Sequence, residues 1–239
     1  MDYLKGRTEI DAKQIGLCGH SEGGLVAPLA ASRSADVAFI VMLAGTGVTG
    51  EEIIYRQAEL IAKAQGAGAL ALAAARGSQA QIFKILRDEP DLAQAEEKVR
   101  KAVAEQIAAA AAAAPDSKAT LEAQADAQIK ALLTPWFRFF LTYDPRAVLR
   151  QIHCPVLAIN GEKDLQVDPR QNLPPIEAAL KEGGNADYTT KELPGLNHLF
   201  QHSQIGSPAE YGKIEETFAP EALQLVADWI IKRTTGKKT

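Results

Sequence analysis

The stretch from residue 14 to residue 32, QIGLCGHSEGGLVAPLAAS, decides the fold of this 239-residue chain. It opens with a short apolar run, Gln14–Cys18, which predicts a buried strand. The motif Gly19-x-Ser21-x-Gly23 comes next, and the mostly apolar segment Leu25–Ser32 that follows predicts a helix. The sequence therefore predicts a strand, a sharp turn at Ser21 and a helix.

A serine in this position is suited to nucleophilic chemistry. The turn strains its backbone, and glycine at positions 19 and 23 is predicted to avoid collisions with side chains on either side. The following helix begins with backbone N–H groups that have no partner inside the helix. We expect the N–H of Glu22 to be one donor of an oxyanion hole.

The rest of the chain on either side of a central segment predicts a parallel sheet. Continuous apolar runs are typical of parallel strands covered on both faces, and one further segment alternates as a strand does. Helical segments follow these strands, so the order of elements predicts an α/β fold with helices on both faces. The predicted strands are Val37–Ala44, Val156–Asn160 and Tyr188–Leu193, and the predicted helices are Asn172–Lys181 and Pro220–Lys232.

The central segment, 50–141, has a different composition. It is rich in Ala, Glu, Gln and Lys, which favour helices, and Pro90, Pro115 and Pro135 divide it into several helices. Two apolar stripes recur at helical spacing. We therefore predict an inserted all-helical cap at 50–141 between two parts of the α/β core, 1–49 and 142–239. The stripes are Leu92, Ala95, Val99, Val103 and Ile107, and Leu121, Ala125, Ile129 and Leu132.

A serine hydroxyl needs a base within hydrogen-bond reach. The chain has four histidines. His198 lies in a glycine-containing loop directly after the last predicted strand, at the sheet edge where Ser21 is expected, and it is the predicted base. His202 is the second choice, whereas His20 and His153 are predicted to be structural or bystander residues.

The base needs a carboxylate that fixes its tautomer and stabilises the imidazolium. Asp164 follows the predicted strand Val156–Asn160 at its carboxyl end and is the predicted acid, with Asp168 and Glu162 as rivals. A capping role in the turn is the structural alternative for Asp164. Serine, acid and histidine in this chain order are typical of the α/β-hydrolase arrangement and not of other serine-protease folds.

The runs GHSEGG (19–24), NGEKDLQV (160–167) and GLNHLF (195–200) resemble those of α/β-hydrolases. The likeness is closest to bacterial carboxylesterases of the serine aminopeptidase-like branch, which often join cap to core with a segment similar to PWFRFFLTYDPRAVLRQIHCPVLAINGEKD (135–164). The resemblance implies Ser21, Asp164 and His198 as a catalytic triad, and short acyl esters as the substrate class. It implies no metal and no organic cofactor.

The resemblance also implies four strands before the elbow strand, for which the residues preceding Ser21 leave no room. The loop that donates the second oxyanion N–H would be absent together with these strands. The loss of one such donor lowers turnover by about 10²–10³-fold. We therefore expect the first four strands to lie outside this chain, as part of the same gene product or of another chain. We further expect this chain alone to be poorly active.

Composition narrows the possible partners. A net charge of −4 provides no basic face for nucleic acid, and no apolar run approaches the roughly 18 residues that span a membrane. The two cysteines, Cys18 and Cys154, lack the spacing of a metal site and are predicted to be buried free thiols in preference to a disulfide. A small-molecule ester is the expected ligand.

Two other functions stay open on the sequence. An aminopeptidase or other acyl-transfer hydrolase would use charged groups such as Glu51, Glu52 or Arg56 to hold a peptide terminus, although these residues also suit a solvated helix start. A non-catalytic fragment or assembly domain would use the cap as an interaction surface. For an esterase, the aromatic run Trp136, Phe137 and Phe140 is the candidate acyl pocket, and core packing is its structural alternative.

Overall fold

A computed structural model describes residues 1–113 and 118–235, and these residues form two compact units. The first unit contains Met1–Val48, Glu52–Ala64 and Asp144–Thr239, and the second contains Thr49–Glu51 and Gln65–Tyr143. The sequence placed the whole of 50–141 in one insertion. The structure instead groups Glu52–Ala64 with the first unit.

The described helices, in chain order, are α1 (Asp2–Lys5), α2 (Glu22–Ala31), α3 (Gly50–Ala64), α4 (Ala69–Asp88), α5 (Leu92–Ala113), α6 (Lys118–Leu132), α7 (Pro135–Thr142), α8 (Pro145–Leu149), α9 (Pro169–Glu182) and α10 (Pro220–Thr234). The described strands are β1 (Leu17–His20), β2 (Ile40–Leu43), β3 (Val156–Gly161) and β4 (Tyr188–Leu193).

The strands form one sheet in the order β1-β2-β3-β4, and every neighbouring pair is parallel. This is the α/β arrangement that the apolar runs predict. The strand predicted at Gln14–Cys18 begins later, at Leu17, because Gln14 ends a short 3₁₀ helix whose first turn is capped by the Asp11 carboxylate. The parallel register brings the carboxyl ends of all four strands to one edge of the sheet.

The two inner strands, β2 and β3, are buried on both faces, as their continuous apolar runs predict. Successive residues of a strand point to opposite faces, so Val41 packs with Phe200 and Trp229 on one side, while Ile40 packs with Ile176 on the other. The predicted apolar face of α10 lies on the first side, where the following residues pack: Ala222, Leu225, Val226, Trp229 and Ile230.

The second unit contains helices α4 to α7, and no strand is described in it. Its most buried residues include Ala95 and Val99 of the first predicted stripe and Ile129 of the second, while Leu92 at the stripe's start is half-exposed. Thr134 caps α7 by accepting the Phe137 N–H, with Pro135 at the first helical position. Pro115, a predicted helix breaker, lies outside the described residues.

Strand β1 is one of the two edge strands of the described sheet, and it pairs with β2. Cys18 on this strand is exposed, so the prediction that both thiols are buried is wrong for Cys18; Cys154 is half-buried, and both are free. A central strand would cover such a side chain, and an edge strand does not. In the described ranges no helix combines the length and apolar character needed to cross a membrane.

Candidate active site

Ser21 stands at the turn between β1 and α2 in a strained conformation. Its φ of 55° and ψ of −113° lie outside the regions that non-glycine residues ordinarily adopt, which costs of order 1–3 kcal/mol. The Ser21 N–H donates to the Leu43 carbonyl at 2.8 Å, which ties the turn to β2. Its side chain does not cap α2, so the hydroxyl is left for other partners.

Close backbone contacts require glycine at position 19 of the motif. At the second position they require it at Gly24 and not at Gly23. A Cβ on Gly19 would lie 2.0 Å from the Gly23 carbonyl oxygen, so glycine is required there. A Cβ on Gly23 would meet no described atom within 4 Å, which corrects the predicted collision at this position. The second close approach is at Gly24, whose Cβ would lie 2.6 Å from the Cα of Gly45.

His198 and Asp164 form a buried pair. The Nδ1 atom of His198 lies 2.8 Å from Oδ2 of Asp164, and their side chains are 6% and 0% exposed. The other carboxylate oxygen, Oδ1, accepts the backbone N–H groups of Gln166 at 2.7 Å and Val167 at 2.9 Å. Every polar atom of this carboxylate therefore has a partner, which is the condition for keeping a charge in the protein interior.

The loops that carry the pair fit closely together. Gly161 at the end of β3 permits the approach, because a Cβ there would lie 2.2 Å from the Leu196 carbonyl oxygen. The Lys163 N–H donates to that same carbonyl at 2.9 Å. Within the histidine loop, the buried Asn197 side chain accepts the N–H groups of Leu199 and Gln201. The position of His198 is thus set by main-chain contacts as well as by Asp164.

The candidate residues share one edge of the sheet. Ser21 follows β1, Asp164 follows β3 and His198 follows β4, each beyond the carboxyl end of its strand. Non-glycine residues with positive φ in the described chain are Ser21, Ala44 and Phe200, which also follow β1, β2 and β4. Backbone strain is therefore concentrated at the edge where the predicted site lies.

Glu22 is the first residue of α2, so its N–H is among those that an α-helix leaves without an internal partner. The helix dipole adds partial positive charge at the same end. This is the position from which the sequence predicts one oxyanion donor. The arrangement is chemically able to stabilise negative charge that develops beside Ser21.

The rival carboxylates have other partners. The Asp168 side chain caps α9 by accepting the Arg170 N–H and also accepts from Arg56 Nε at 2.7 Å. The Glu162 carboxylate accepts the Gly195 N–H at 2.9 Å, and so links the acid loop to the histidine loop. Both residues stabilise loops near the candidate site, whereas Asp164 faces His198.

The second-choice histidine, His202, is exposed. His202 lies between the carboxylates of Glu216, 3.0 Å from Nδ1, and Glu221, 2.9 Å from Nε2. His153 is also exposed. Among the residues described, no cluster of three or more His, Cys, Asp or Glu side chains is arranged to hold a metal ion.

Two polar side chains near this edge of the sheet, Thr46 and Tyr211, were not identified from the sequence. The hydroxyl of Thr46, in the loop after β2, is buried without a hydrogen-bond partner in the described part of the chain. The Tyr211 hydroxyl accepts from Gln166 Nε2 at 2.9 Å, and burial raises the pKa of Tyr211 to about 12. A tyrosine with this pKa stays protonated at neutral pH.

The candidate acyl-pocket aromatics belong to the second unit. Trp136 stacks on Phe140 with ring centroids 6.2 Å apart, and Phe137 lies 6.3 Å from Phe83. Trp136 is 39% exposed, while Phe137 and Phe140 are half-buried. These contacts describe a packed aromatic cluster, and the pocket role stays a prediction.

Several solved structures are similar to this chain. One is the acylaminoacyl peptidase of Pyrococcus horikoshii, at 14% identity over 100% of this chain and 27% of that chain, with a TM-score of 0.45. Another is a proline iminopeptidase of Mycobacterium smegmatis, at 16% identity over 94% and 67%, with a TM-score of 0.45. An esterase of Thermogutta terrifontis gives 16% identity over 92% and 66%, with a TM-score of 0.41.

The chain thus spans about a quarter of the first of these structures. No curated protein matches the sequence. A model of the alpha/beta hydrolase family matches residues 2–211, which include Ser21, Asp164 and His198. Because this match covers most of the chain, and because the sheet and the elbow have the geometry described above, the chain belongs to the alpha/beta hydrolase family.

Proposed function

We propose that the protein is a serine hydrolase that cleaves carboxylic esters through an acyl-enzyme. The observation that carries the proposal is the buried His198–Asp164 pair, 2.8 Å apart, on loops at the same sheet edge as the strained Ser21 turn. A buried imidazole with one nitrogen on a carboxylate has its other nitrogen free to exchange a proton. Such a proton exchange assists a reaction only beside a nucleophile, and Ser21 is the candidate nucleophile.

In the proposed reaction, Ser21 Oγ attacks the acyl carbon and its proton passes to His198 Nε2. Asp164 holds the Nδ1–H tautomer and stabilises the imidazolium, while the Glu22 N–H donates to the oxyanion. His198 then returns the proton to the leaving alcohol, and the acyl group remains on Ser21. Water, deprotonated by His198, cleaves the acyl-enzyme and restores the serine.

A peptidase would need free charged groups to hold a peptide terminus. Two of the candidate groups already have ion-pair partners, which favours an ester over a peptide substrate. Glu51 pairs with Arg87 at 2.7 Å, and Arg56 pairs with Asp168 at 2.7 Å. Groups already held in ion pairs are poorly placed to bind a peptide terminus. The aromatic residues Trp136, Phe137 and Phe140 are our proposed contacts for the acyl chain, within a helical cap.

The test is hydrolysis of p-nitrophenyl butyrate by the wild-type chain and by Ser21→Ala, together with labelling by a fluorophosphonate. We expect slow but measurable ester turnover and labelling in the wild type, since this chain alone is expected to be poorly active, and the loss of both in Ser21→Ala. Aminoacyl nitroanilides tested in parallel should be cleaved much more slowly than the ester. A wild-type protein that carries no label at Ser21 contradicts the proposal.

A further inference from the structure

His20, the last residue of β1 and the neighbour of Ser21, makes a hydrogen bond outside the proposed triad. Its Nε2 atom lies 2.8 Å from the backbone carbonyl oxygen of His198. A carbonyl oxygen only accepts, so Nε2 of His20 carries the proton and donates it. Desolvation by burial lowers the pKa of His20, while the bond to the His198 carbonyl opposes this shift.

The two imidazoles are also in contact through their rings. The ring centroids of His20 and His198 are 4.7 Å apart with an interplanar angle of 48°, and His20 also meets Phe200 edge-on at 6.2 Å. His198 is consequently held at two points. Asp164 binds its side chain, and His20 binds its main chain.

We infer that His20 is a positioning residue that ties the main chain of His198 to the nucleophile turn. The inference rests on the proposed function. Because His20 and Ser21 are consecutive, the hydrogen bond to His198 fixes the base relative to the nucleophile through a short covalent path. Small misplacements of reacting groups are costly, and an error of about 1 Å is enough to lower a rate by about 10²-fold.

His20 also borders a cavity of about 450 Å³ together with Leu43, Leu199 and Phe218. A wall residue that touches substrate would change KM. A residue that aligns the base would change kcat, because alignment matters in the chemical step and not in ground-state binding. The split between kcat and KM therefore separates the positioning role from direct substrate contact.

The experiment compares His20→Leu, His20→Asn and His20→Gln with the wild type in p-nitrophenyl butyrate hydrolysis. Leucine removes the donor. Asparagine and glutamine each supply an amide N–H donor, at a shorter reach in asparagine and a longer reach in glutamine. We expect kcat to fall about 10- to 100-fold in His20→Leu and His20→Asn with KM within about twofold. His20→Gln should recover most of kcat, because its amide reaches about as far as Nε2.

A cycle with Asp164→Asn supplies a second readout. Both changes loosen the same imidazole, so the double variant His20→Leu/Asp164→Asn should lose less than the product of the two single losses. Equal losses in all three His20 variants, a multiplicative cycle, or a rise in KM at unchanged kcat would each overturn the positioning role. Thermal unfolding of each variant shows whether a loss of kcat reflects a loss of folded protein. The comparison of His20→Asn with His20→Gln changes the reach of the side chain while its polarity stays the same.

Fluorophosphonate labelling distinguishes failure of this inference from failure of the proposed function. A wild type without labelling at Ser21 removes the proposed function and the positioning role with it. Labelling at the same rate in the wild type and in His20→Leu removes the positioning role alone. We expect Ser21-dependent labelling in both proteins, slowed at least tenfold in His20→Leu.

Discussion

His198 and His202 lie in the same loop region, and each pairs with at least one carboxylate, but the surroundings of the two pairs differ. The His198–Asp164 pair is almost fully buried, while the His202 side chain is 56% exposed between Glu216 and Glu221. The nitrogen-to-oxygen distances are similar, at 2.8 Å in the first pair and 3.0 and 2.9 Å in the second. Distance alone therefore does not identify the candidate base.

What separates the pairs is how the carboxylate is held. Asp164 has its second oxygen bound by two backbone N–H groups in a low-dielectric setting, where charge interactions are strong. Glu216 also accepts a backbone N–H, from His202 itself, but water screens the exposed imidazole. The first environment is suited to stabilising an imidazolium, as the proposed reaction requires, and the second contributes a weak surface contact.

Exchange of each histidine should give the largest contrast. His198→Ala is expected to lower kcat/KM for p-nitrophenyl butyrate by about 10⁶-fold, as loss of a triad base does. His202→Ala, its matched control, should stay within about twofold of wild type because an exposed pair contributes little. Steady-state kinetics on purified variants measure both. A large loss in His202→Ala with little in His198→Ala would reverse the assignment.

The acids should differ by somewhat less. Asp164→Asn is expected to lower kcat by about 10⁴-fold, because an amide favours the wrong tautomer of His198. Glu216→Gln should leave kcat within about twofold. Because removal of the charge leaves the loop bonds of residue 164 partly in place, circular dichroism should report a folded protein. An Asp164→Asn protein as active as the wild type would show that another carboxylate serves the base.

Close packing around the buried pair gives the next contrast, in stability. Gly161→Ala places a methyl group 2.2 Å from the Leu196 carbonyl oxygen, so backbone atoms must shift, and a loss of about 3 kcal/mol in unfolding free energy is expected. Gly212 lies in the 3₁₀ helix Pro208–Lys213 with no described atom near its would-be Cβ. Gly212→Ala should change stability by less than about 0.5 kcal/mol. Urea unfolding measures both, and equal losses would refute the close-packing account.

The same contrast shows how far the sequence could lead. Strand β4 and the starts of β3 and α10 are where the sequence predicts them, because apolar periodicity and an N-terminal proline act locally. Asp164 and His198 could be named as candidates because each follows a strand, and parallel strands end at one edge of the sheet. Such position-based reasoning needs no knowledge of tertiary contacts.

Contacts between distant segments could not be predicted in this way. The sequence assigned His20 a structural role without a partner, and its partner lies 178 residues away at the His198 carbonyl. The steric need for glycine was placed at Gly23, whereas Gly24 is the residue that meets the loop after β2. The grouping of Glu52–Ala64 with the first unit likewise depends on tertiary contacts such as that between Arg56 and Asp168.

The smallest effect concerns the exposed pair and pH. The His202 N–H and side chain lower the pKa of Glu216, so the folded state favours its ionised form. A carboxyl whose folded pKa is depressed stabilises the protein above its unfolded pKa, about 4.3, and loses that contribution as pH falls through the folded value. At pH 6 the wild type should exceed Glu216→Gln by less than about 1 kcal/mol, and the difference should shrink below about pH 4. Thermal unfolding from pH 3 to pH 7 tests this, and a difference that grows on acidification would contradict it.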